Sequence, residues 1–117
     1  VVLLPNGTLW MYYFGGGREG GMPGIHMQVG LAASQDGGLS WRRLNGGEPV
    51  LRRGAAGAFD ELFASWPRVL PPWETQEVPG LPVGKWYLSY HTYNMSKWSV
   101  GAAVSDDGLT WERLPGP

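Results

Sequence analysis

Two short segments of the chain carry an aspartate between a serine and a tryptophan: SQDGGLSW at residues 34–41 and SDDGLTW at residues 105–111. Carboxylates such as Asp36 and Asp107 can perform acid–base catalysis, or they can accept hydrogen bonds from the backbone of a turn. A scaffold built from repeated units needs one such turn residue in each unit, whereas catalysis does not need two near-identical copies. We therefore interpret both aspartates as structural.

The other residues of the two motifs fit the same interpretation. The glycine after each aspartate supplies a backbone conformation that a β-carbon would resist. The tryptophan is expected to begin the next strand and to pack between neighbouring sheets. The predicted structural residues are Ser34, Asp36, Gly38, Trp41, Ser105, Asp107, Gly108 and Trp111.

The two motifs belong to a longer internal repeat, in which Ser34 corresponds to Ser105. One pair of matching segments contains the motifs, and two further pairs precede it in the same order in both copies. The matching segments are 27–44 with 99–114, LWMYYFG (9–15) with WYLSYHT (86–92), and VVLLP (1–5) with RVLPP (68–72). The repeat is therefore an ordered set of short segments rather than one motif.

Each segment is short, rich in aromatic or β-branched residues, and bounded by Gly, Pro, Asn or Asp, which is typical of a strand. AFDELFASW at 58–66 could form at most a short helical turn. Four antiparallel strands repeated in this way are typical of propeller blades. The predicted strands are at about 1–4, 8–14, 26–34 and 39–44, then at about 68–71, 85–92, 98–105 and 109–114.

We thus predict an all-β chain, a partial β-propeller over residues 1–117. Blade 1 covers about 1–44, a linker covers 45–67, and blade 2 covers about 68–114. Two blades do not close a ring. We expect either a longer parent protein, of which this chain is a fragment, or self-assembly of several copies into a ring.

The composition argues against several kinds of partner and site. Nine Lys and Arg residues balance ten Asp and Glu residues without a run of one sign, which argues against nucleic acid and membrane surfaces as partners. No cysteine is present, so thiol chemistry is excluded. His26 and His91 are isolated, so we predict no metal site. No signal-peptide pattern or membrane-spanning apolar stretch is visible.

The quoted motifs resemble those of a known family. SQDGGLSW resembles the Asp-box of sialidases and related propellers, and SDDGLTW resembles a form that is one residue shorter. The segments WMYYFGG, FDELFASWPRVL and KWYLSYHT resemble the five-bladed glycoside hydrolase superfamily of arabinanase-, invertase- and mannoside-phosphorylase-type proteins. The resemblance covers nearly the whole chain and implies a five-bladed ring, with a six-bladed ring as the less favoured alternative.

The resemblance also implies a function. It implies carbohydrate as the partner, carboxylate acid–base cleavage of glycosidic bonds in oligo- or polysaccharides, and an extracellular or secreted location. No cofactor is expected, and calcium on the ring axis is an option that only the resemblance supports. A non-catalytic module that binds glycan or protein, a sialidase and a purely structural repeat remain alternatives. The arginine triad of sialidases cannot be located.

The candidate site lies on the face that holds the linker and the loops between the second and third strands. Glycoside hydrolysis uses two carboxyl groups, and the candidates are Asp60 and Glu61. A solvated linker acid is the alternative for Asp60. The acid that many resembled enzymes carry before the proline of an inner strand is replaced by Trp66. The predicted substrate-binding residues are Arg18, Glu19, Trp66, Arg68, His91 and Tyr93.

Several of these residues have competing structural interpretations. Glu19 could be a surface charge, Trp66 could pack between blades, and Arg68 could pair with Asp60 instead of a sugar. If the ring is completed by other blades, part of the catalytic pair would lie there. This chain alone would then be inactive.

Overall fold

The structure is a computed structural model that describes residues 1–17 and 24–117. Arg18 and Glu19, two of the predicted substrate-binding residues, lie outside the described residues. The strands of the described part are β1 (Val2–Leu3), β2 (Leu9–Gly15), β3 (Gln28–Ser34), β4 (Arg42–Arg43), β5 (Ser65–Leu70), β6 (Trp86–Tyr93), β7 (Trp98–Ser105) and β8 (Trp111–Arg113). A 3₁₀ turn covers Asn45–Gly47, and a single α-helical turn, α1, covers Pro72–Thr75.

The strands form two antiparallel sheets in which neighbours in sequence are neighbours in space. Sheet 1 has the order β1-β2-β3-β4, and sheet 2 has the order β5-β6-β7-β8. The prediction of an all-β chain with two four-stranded units is confirmed, and neither sheet closes on itself. Leu9 lies opposite Ser34 in sheet 1, and Trp86 lies opposite Ser105 in sheet 2, so both units share one register.

The first hairpin shows how local sequence sets this register. Gly7 has a φ of +88°, which favours glycine, and its N–H donates to the Leu4 carbonyl at 3.0 Å. Asn6 Oδ1 accepts a hydrogen bond from the Thr8 N–H at 3.0 Å. The Asn-Gly turn therefore pairs Leu3 with Leu9 and starts the meander.

The core lies between the two sheets. Its buried residues come from both sheets and from the segment that joins them: Val29, Leu51, Ala64, Leu88, Tyr90 and Ala103. Aromatic rings extend this core towards the Asp-box turns. Trp10 stacks on Trp86 with centroids 5.6 Å apart, and Tyr12 meets Trp111 edge-on at 6.1 Å. Inward-facing residues thus alternate along β2 and β6, as a half-buried strand requires.

The structure differs from the predicted boundaries around β5. This strand begins at Ser65, so Trp66 and Pro67 lie inside a strand and not in the linker. The ladder between β5 and β6 is irregular between Ser65 and Arg68, because proline has no N–H to donate. The segment 58–64 contains turns and no helix. β4 is also shorter than predicted, since the preceding residues belong to the Asp-box turn.

A tyrosine ring covers a glycine at the same place in each sheet. Tyr13 lies opposite Gly30, and Tyr90 lies opposite Gly101. A β-carbon at Gly30 would lie 2.5 Å from Tyr13 Cζ, and one at Gly101 would overlap the Tyr90 ring more closely. The strands at these positions therefore require glycine because of packing rather than backbone torsion.

Replacing Gly101 with alanine tests this packing requirement. We expect Gly101→Ala to lower the free energy of unfolding by about 1–3 kcal/mol, because the buried Tyr90 ring must shift. Gly15→Ala is the matched control, since a β-carbon there meets nothing within 4 Å. Urea denaturation measures both variants, and equal midpoints for them would contradict the packing argument.

Candidate functional site

The two ends of the sheets differ in residue type. Both Asp-box turns and α1 lie at one end, called the Asp-box end. The β6–β7 turn and the start of β5 lie at the other end. Aromatic side chains concentrate at this second end, called the aromatic end and defined by Phe14, Phe63, Trp66, His91, Tyr93 and Trp98.

The rings of the aromatic end form two groups. The centroids of Phe14 and Trp66 are 5.0 Å apart, and Trp66 stacks with His91 at 6.5 Å and an interplanar angle of 24°. Tyr93 and Trp98, which are paired across β6 and β7, have centroids 4.9 Å apart. Trp66 and Trp98 are each 63% exposed. Exposed aromatic faces that lie together are candidates for a binding surface.

The backbone at Trp66 explains why its ring is exposed. Its φ is +48°, which is uncommon for a bulky residue and costs roughly 1–2 kcal/mol. The residue lies at the irregularity of β5 and directly precedes Pro67, and a bulge of this kind re-aims a side chain. The Trp66 ring is thus directed out of sheet 2 while it remains in contact with Phe14 of sheet 1.

Asp60 is buried, with 1% of its surface exposed. Its Oδ2 accepts hydrogen bonds from Tyr90 Oη at 2.5 Å and from Arg113 Nε at 2.8 Å. Burial and the hydrogen bond to Asp60 raise the pKa of Tyr90 to about 12. Burial alone lowers the pKa of Arg113, but the hydrogen bond and charge of Asp60 raise it overall.

These contacts correct the expectations for Asp60. It is not a solvated linker acid, and its ion-pair partner is Arg113 rather than Arg68. The Asp60 carboxylate is thus enclosed by two side chains of sheet 2. The sequence alone could not reveal this, since Arg113 lies 53 residues further along the chain.

Glu61 follows Asp60 in the sequence but lies in a different environment. It is exposed and lines a cavity of about 490 Å³ together with His26 and Asn94. The two predicted carboxylates therefore differ in exposure: Asp60 is buried and Glu61 faces the cavity. A lone exposed glutamate can donate or accept a proton, but glycoside hydrolysis requires a second carboxyl group.

The remaining predicted substrate-binding residues separate into two places. Trp66 and His91 lie together at the aromatic end, and Tyr93 lies in the second group of rings there. Arg68 is exposed in β5, with Ser89 as its strand partner, and the next residue, Val69, packs against the core.

The first Asp-box is closed by the side chains that its sequence supplies. Asp36 Oδ1 accepts hydrogen bonds from Ser34 Oγ at 2.8 Å and from the Ser40 N–H at 2.9 Å. Ser40 Oγ donates to Asp36 Oδ2 at 2.5 Å, and Ser34 Oγ accepts from the Gly38 N–H at 2.9 Å. Hydrogen bonds from Ser40, first from its side chain, lower the pKa of Asp36 from 3.8 to about 2.

The second Asp-box repeats this arrangement. Asp107 Oδ1 accepts from the N–H groups of Leu109 and Thr110 at 2.9 Å each, and from Ser105 Oγ at 3.0 Å. The backbone hydrogen bonds, that of Thr110 first, lower the pKa of Asp107. Both carboxylates are thus engaged in their own turns, as the structural interpretation expects.

The two Asp-box tryptophans have different surroundings. Trp41 and Trp111 donate from Nε1 to the carbonyls of Gly38 and Gly108 at 3.0 and 3.1 Å. Trp111 then packs against Tyr12, whose hydroxyl also donates to the Gly108 carbonyl at 2.7 Å. Trp41 is 37% exposed, because the described residues place a sheet beside the second box but not beside the first.

Sequence reasoning missed Tyr90 and Arg113. A signal for both was present in the repeat. Gly30 and Gly101 each stand four residues before an Asp-box serine, and Arg43 and Arg113 each stand two residues after its tryptophan. Matching positions of this kind indicate shared contacts. They do not identify Asp60 as the residue that Tyr90 and Arg113 both contact.

No cluster of potential metal ligands occurs in residues 1–17 and 24–117. Within the same part of the chain, no helix has the length and apolarity needed to span a membrane.

Comparisons with known proteins identify no relative. No protein-family model, curated protein or solved structure matches the chain. The resemblance to the glycoside hydrolase superfamily therefore stays a prediction.

The Asp60 carboxylate provides a stability test. Asp60→Asn removes the charge that neutralises Arg113, and we expect unfolding to become easier by roughly 3 kcal/mol, as for a broken buried ion pair. Glu61→Gln is the matched control, and an exposed change of this kind shifts stability by about 0.5 kcal/mol or less. Urea denaturation measures the free energy of unfolding of both variants. An Asp60→Asn variant as stable as the Glu61→Gln variant would contradict this role of Asp60.

The hydrogen bonds of Asp36 predict a titration. Since its folded pKa of about 2 lies below 3.8, the stabilisation is complete above pH 4 and is lost as pH falls through about 2. Ser40→Ala should raise this pKa towards 3.8, while Ser96→Ala, in the β6–β7 turn, should leave it unchanged. Carboxyl NMR resonances give the values. An unshifted pKa in the parent chain would disprove the turn assignment.

Proposed function

We propose that the two sheets are adjacent blades of a β-propeller of the five-bladed glycoside hydrolase type, and that the aromatic end binds carbohydrate. Four observations support the blade assignment. The sheets are four-stranded meanders, they share one register, each carries an Asp-box between its last two strands, and they pack face to face. These are the features of successive blades.

The Trp66 backbone carries the proposal for carbohydrate. A bulky residue with positive φ before a proline costs free energy, and such strain persists where it serves a function. Here the strain exposes an indole face beside His91 and near the opening of the inter-sheet core. Sugar rings present apolar C–H faces that stack on such surfaces.

Polar groups near the aromatic rings would orient a sugar. Glu61 and Asn94 line the cavity of about 490 Å³ beside the β6–β7 turn, and amide and carboxylate groups are the usual hydrogen-bond partners of hydroxyls. Arg53 and His26 also line this cavity, so its walls offer donors as well as acceptors to sugar hydroxyls.

Cleavage of a glycosidic bond is the wider proposal that the family resemblance supports. In that chemistry Glu61, the exposed carboxylate of the adjacent pair, is the better acid or base, because Asp60 is enclosed by Tyr90 and Arg113. The second carboxyl group would come from another blade. For this chain by itself we propose binding.

Trp66→Gly separates a functional role from a structural one. Glycine relieves the positive φ, which offsets the lost ring contacts, so we expect stability within about 1 kcal/mol of the parent chain. Oligosaccharide affinity should fall about tenfold or more, because an exposed aromatic anchor is removed. Calorimetric titration with neutral oligosaccharides of arabinose, fructose and mannose units measures the loss.

Trp73→Ala is the control for this experiment. Trp73 is also partly exposed, at 38%, but it lies on α1 at the Asp-box end. Its removal should leave the affinity unchanged. The proposal fails if no oligosaccharide binds the parent chain, or if Trp66→Gly binds as tightly as the parent.

A further inference from the structure

The internal repeat places equivalent side chains around the tyrosine of each sheet. Tyr90 covers Gly101, and Arg113 is paired with Ala103 on the next strand. In sheet 1, Tyr13 covers Gly30, and Arg43 is paired with Ala32. Each glycine lies four residues before the Asp-box serine and each alanine lies two before it, so the two arrangements coincide position by position.

In sheet 2 this arrangement holds a carboxylate. The Tyr90 hydroxyl and the Arg113 guanidinium both donate to Oδ2 of Asp60, which arrives from the segment before β5. The Arg113 guanidinium also lies 5.7 Å from the centroid of the Tyr90 ring, so the ring positions the cation. The tyrosine, arginine and glycine therefore make a receptor for one carboxyl group.

In sheet 1 the corresponding residues line a cavity of about 410 Å³. Tyr13, Gly30 and Arg43 share this cavity with His26 and Gln28, and its described lining contains a cation but no carboxylate. The ion pairs of the described residues do not include Arg43. Nδ1 of His26, a residue that lines this cavity and the cavity of about 490 Å³, is buried without a hydrogen-bond partner among the described residues.

We propose that the cavity formed by Tyr13, Gly30 and Arg43 binds a carboxylate in the manner in which Tyr90 and Arg113 hold Asp60. A phenol hydroxyl and a guanidinium that line one cavity favour an anionic oxygen, because both are donors and one is charged. The Tyr13 ring packs over Gly30, which fixes the position of its hydroxyl group. The carboxylate can be carried by a peptide segment or by a small acid, and the test distinguishes these sources.

The peptide probe is GAAGAFDELFA, the sequence of residues 54–64, compared with the same peptide carrying Asp60→Asn. The small-acid probe is sodium acetate. Both are titrated into the full chain while the Tyr13 ring and Arg43 side-chain NMR resonances are followed. We expect saturable shifts for a carboxylate probe, and affinity about tenfold or more weaker for the Asn peptide.

Three variants of the chain locate the binding. Tyr13→Phe keeps the ring over Gly30 and removes the donor, and Arg43→Gln removes the charge; each should weaken binding about tenfold or more. Arg42→Gln is the control, because Arg42 is exposed like Arg43 but is paired with Ala33 and does not line the cavity. Circular dichroism establishes that each variant folds.

Each result either supports or overturns the proposed carboxylate site. Binding of the Asp peptide that both Tyr13→Phe and Arg43→Gln weaken supports a peptide carboxylate, and the same dependence with acetate alone supports a small acid. The inference is overturned if neither probe binds, if the Asn peptide binds equally well, or if Arg42→Gln weakens binding as much as Arg43→Gln. The inference does not rest on the proposed function, since oligosaccharide binding at Trp66 is measured separately.

Discussion

The Asp60 carboxylate holds together the segment that joins the two sheets. It accepts hydrogen bonds from β6 through Tyr90 and from β8 through Arg113, while its own backbone carbonyl accepts from the Gly54 N–H at 2.8 Å. Arg113 also donates to the Arg52 carbonyl. A buried charge is tolerated only where such partners are supplied, so the position of the segment and the packing of Leu51 and Ala64 depend on this cluster.

Aromatic side chains form the rest of the contact between the sheets. Trp10 stacks on Trp86, and Tyr12 reaches across to Trp111 and to the carbonyl of Gly108. Burial raises the pKa of Tyr12 far above 10.0, so its hydroxyl stays a donor at physiological pH. The Asp-box of sheet 2 is thus part of the interface, and this contact accounts for its glycine as well as its tryptophan.

The two ends of the sheets differ in backbone strain. The Asp-box end is closed by local hydrogen bonds, and its positive-φ positions within the boxes are glycines such as Gly38 and Gly108. At the aromatic end, Trp66 adopts a positive φ that its side chain disfavours. Proteins retain such conformations where the exposed side chain has a use, which is why the proposed binding surface lies there.

The sequence by itself determined the strands, their order and the closure of both Asp-boxes, because these depend on turn residues and alternating side chains that are close in the chain. Trp66, an exposed tryptophan of the aromatic end, was also among its candidates. Only the tertiary structure decided that Asp60 is enclosed and Glu61 exposed, since Tyr90 and Arg113 approach from strands 30 and 53 residues away. It also decided the φ of Trp66. This φ follows from the irregular pairing of β5 with β6, where Pro67 has no N–H to donate.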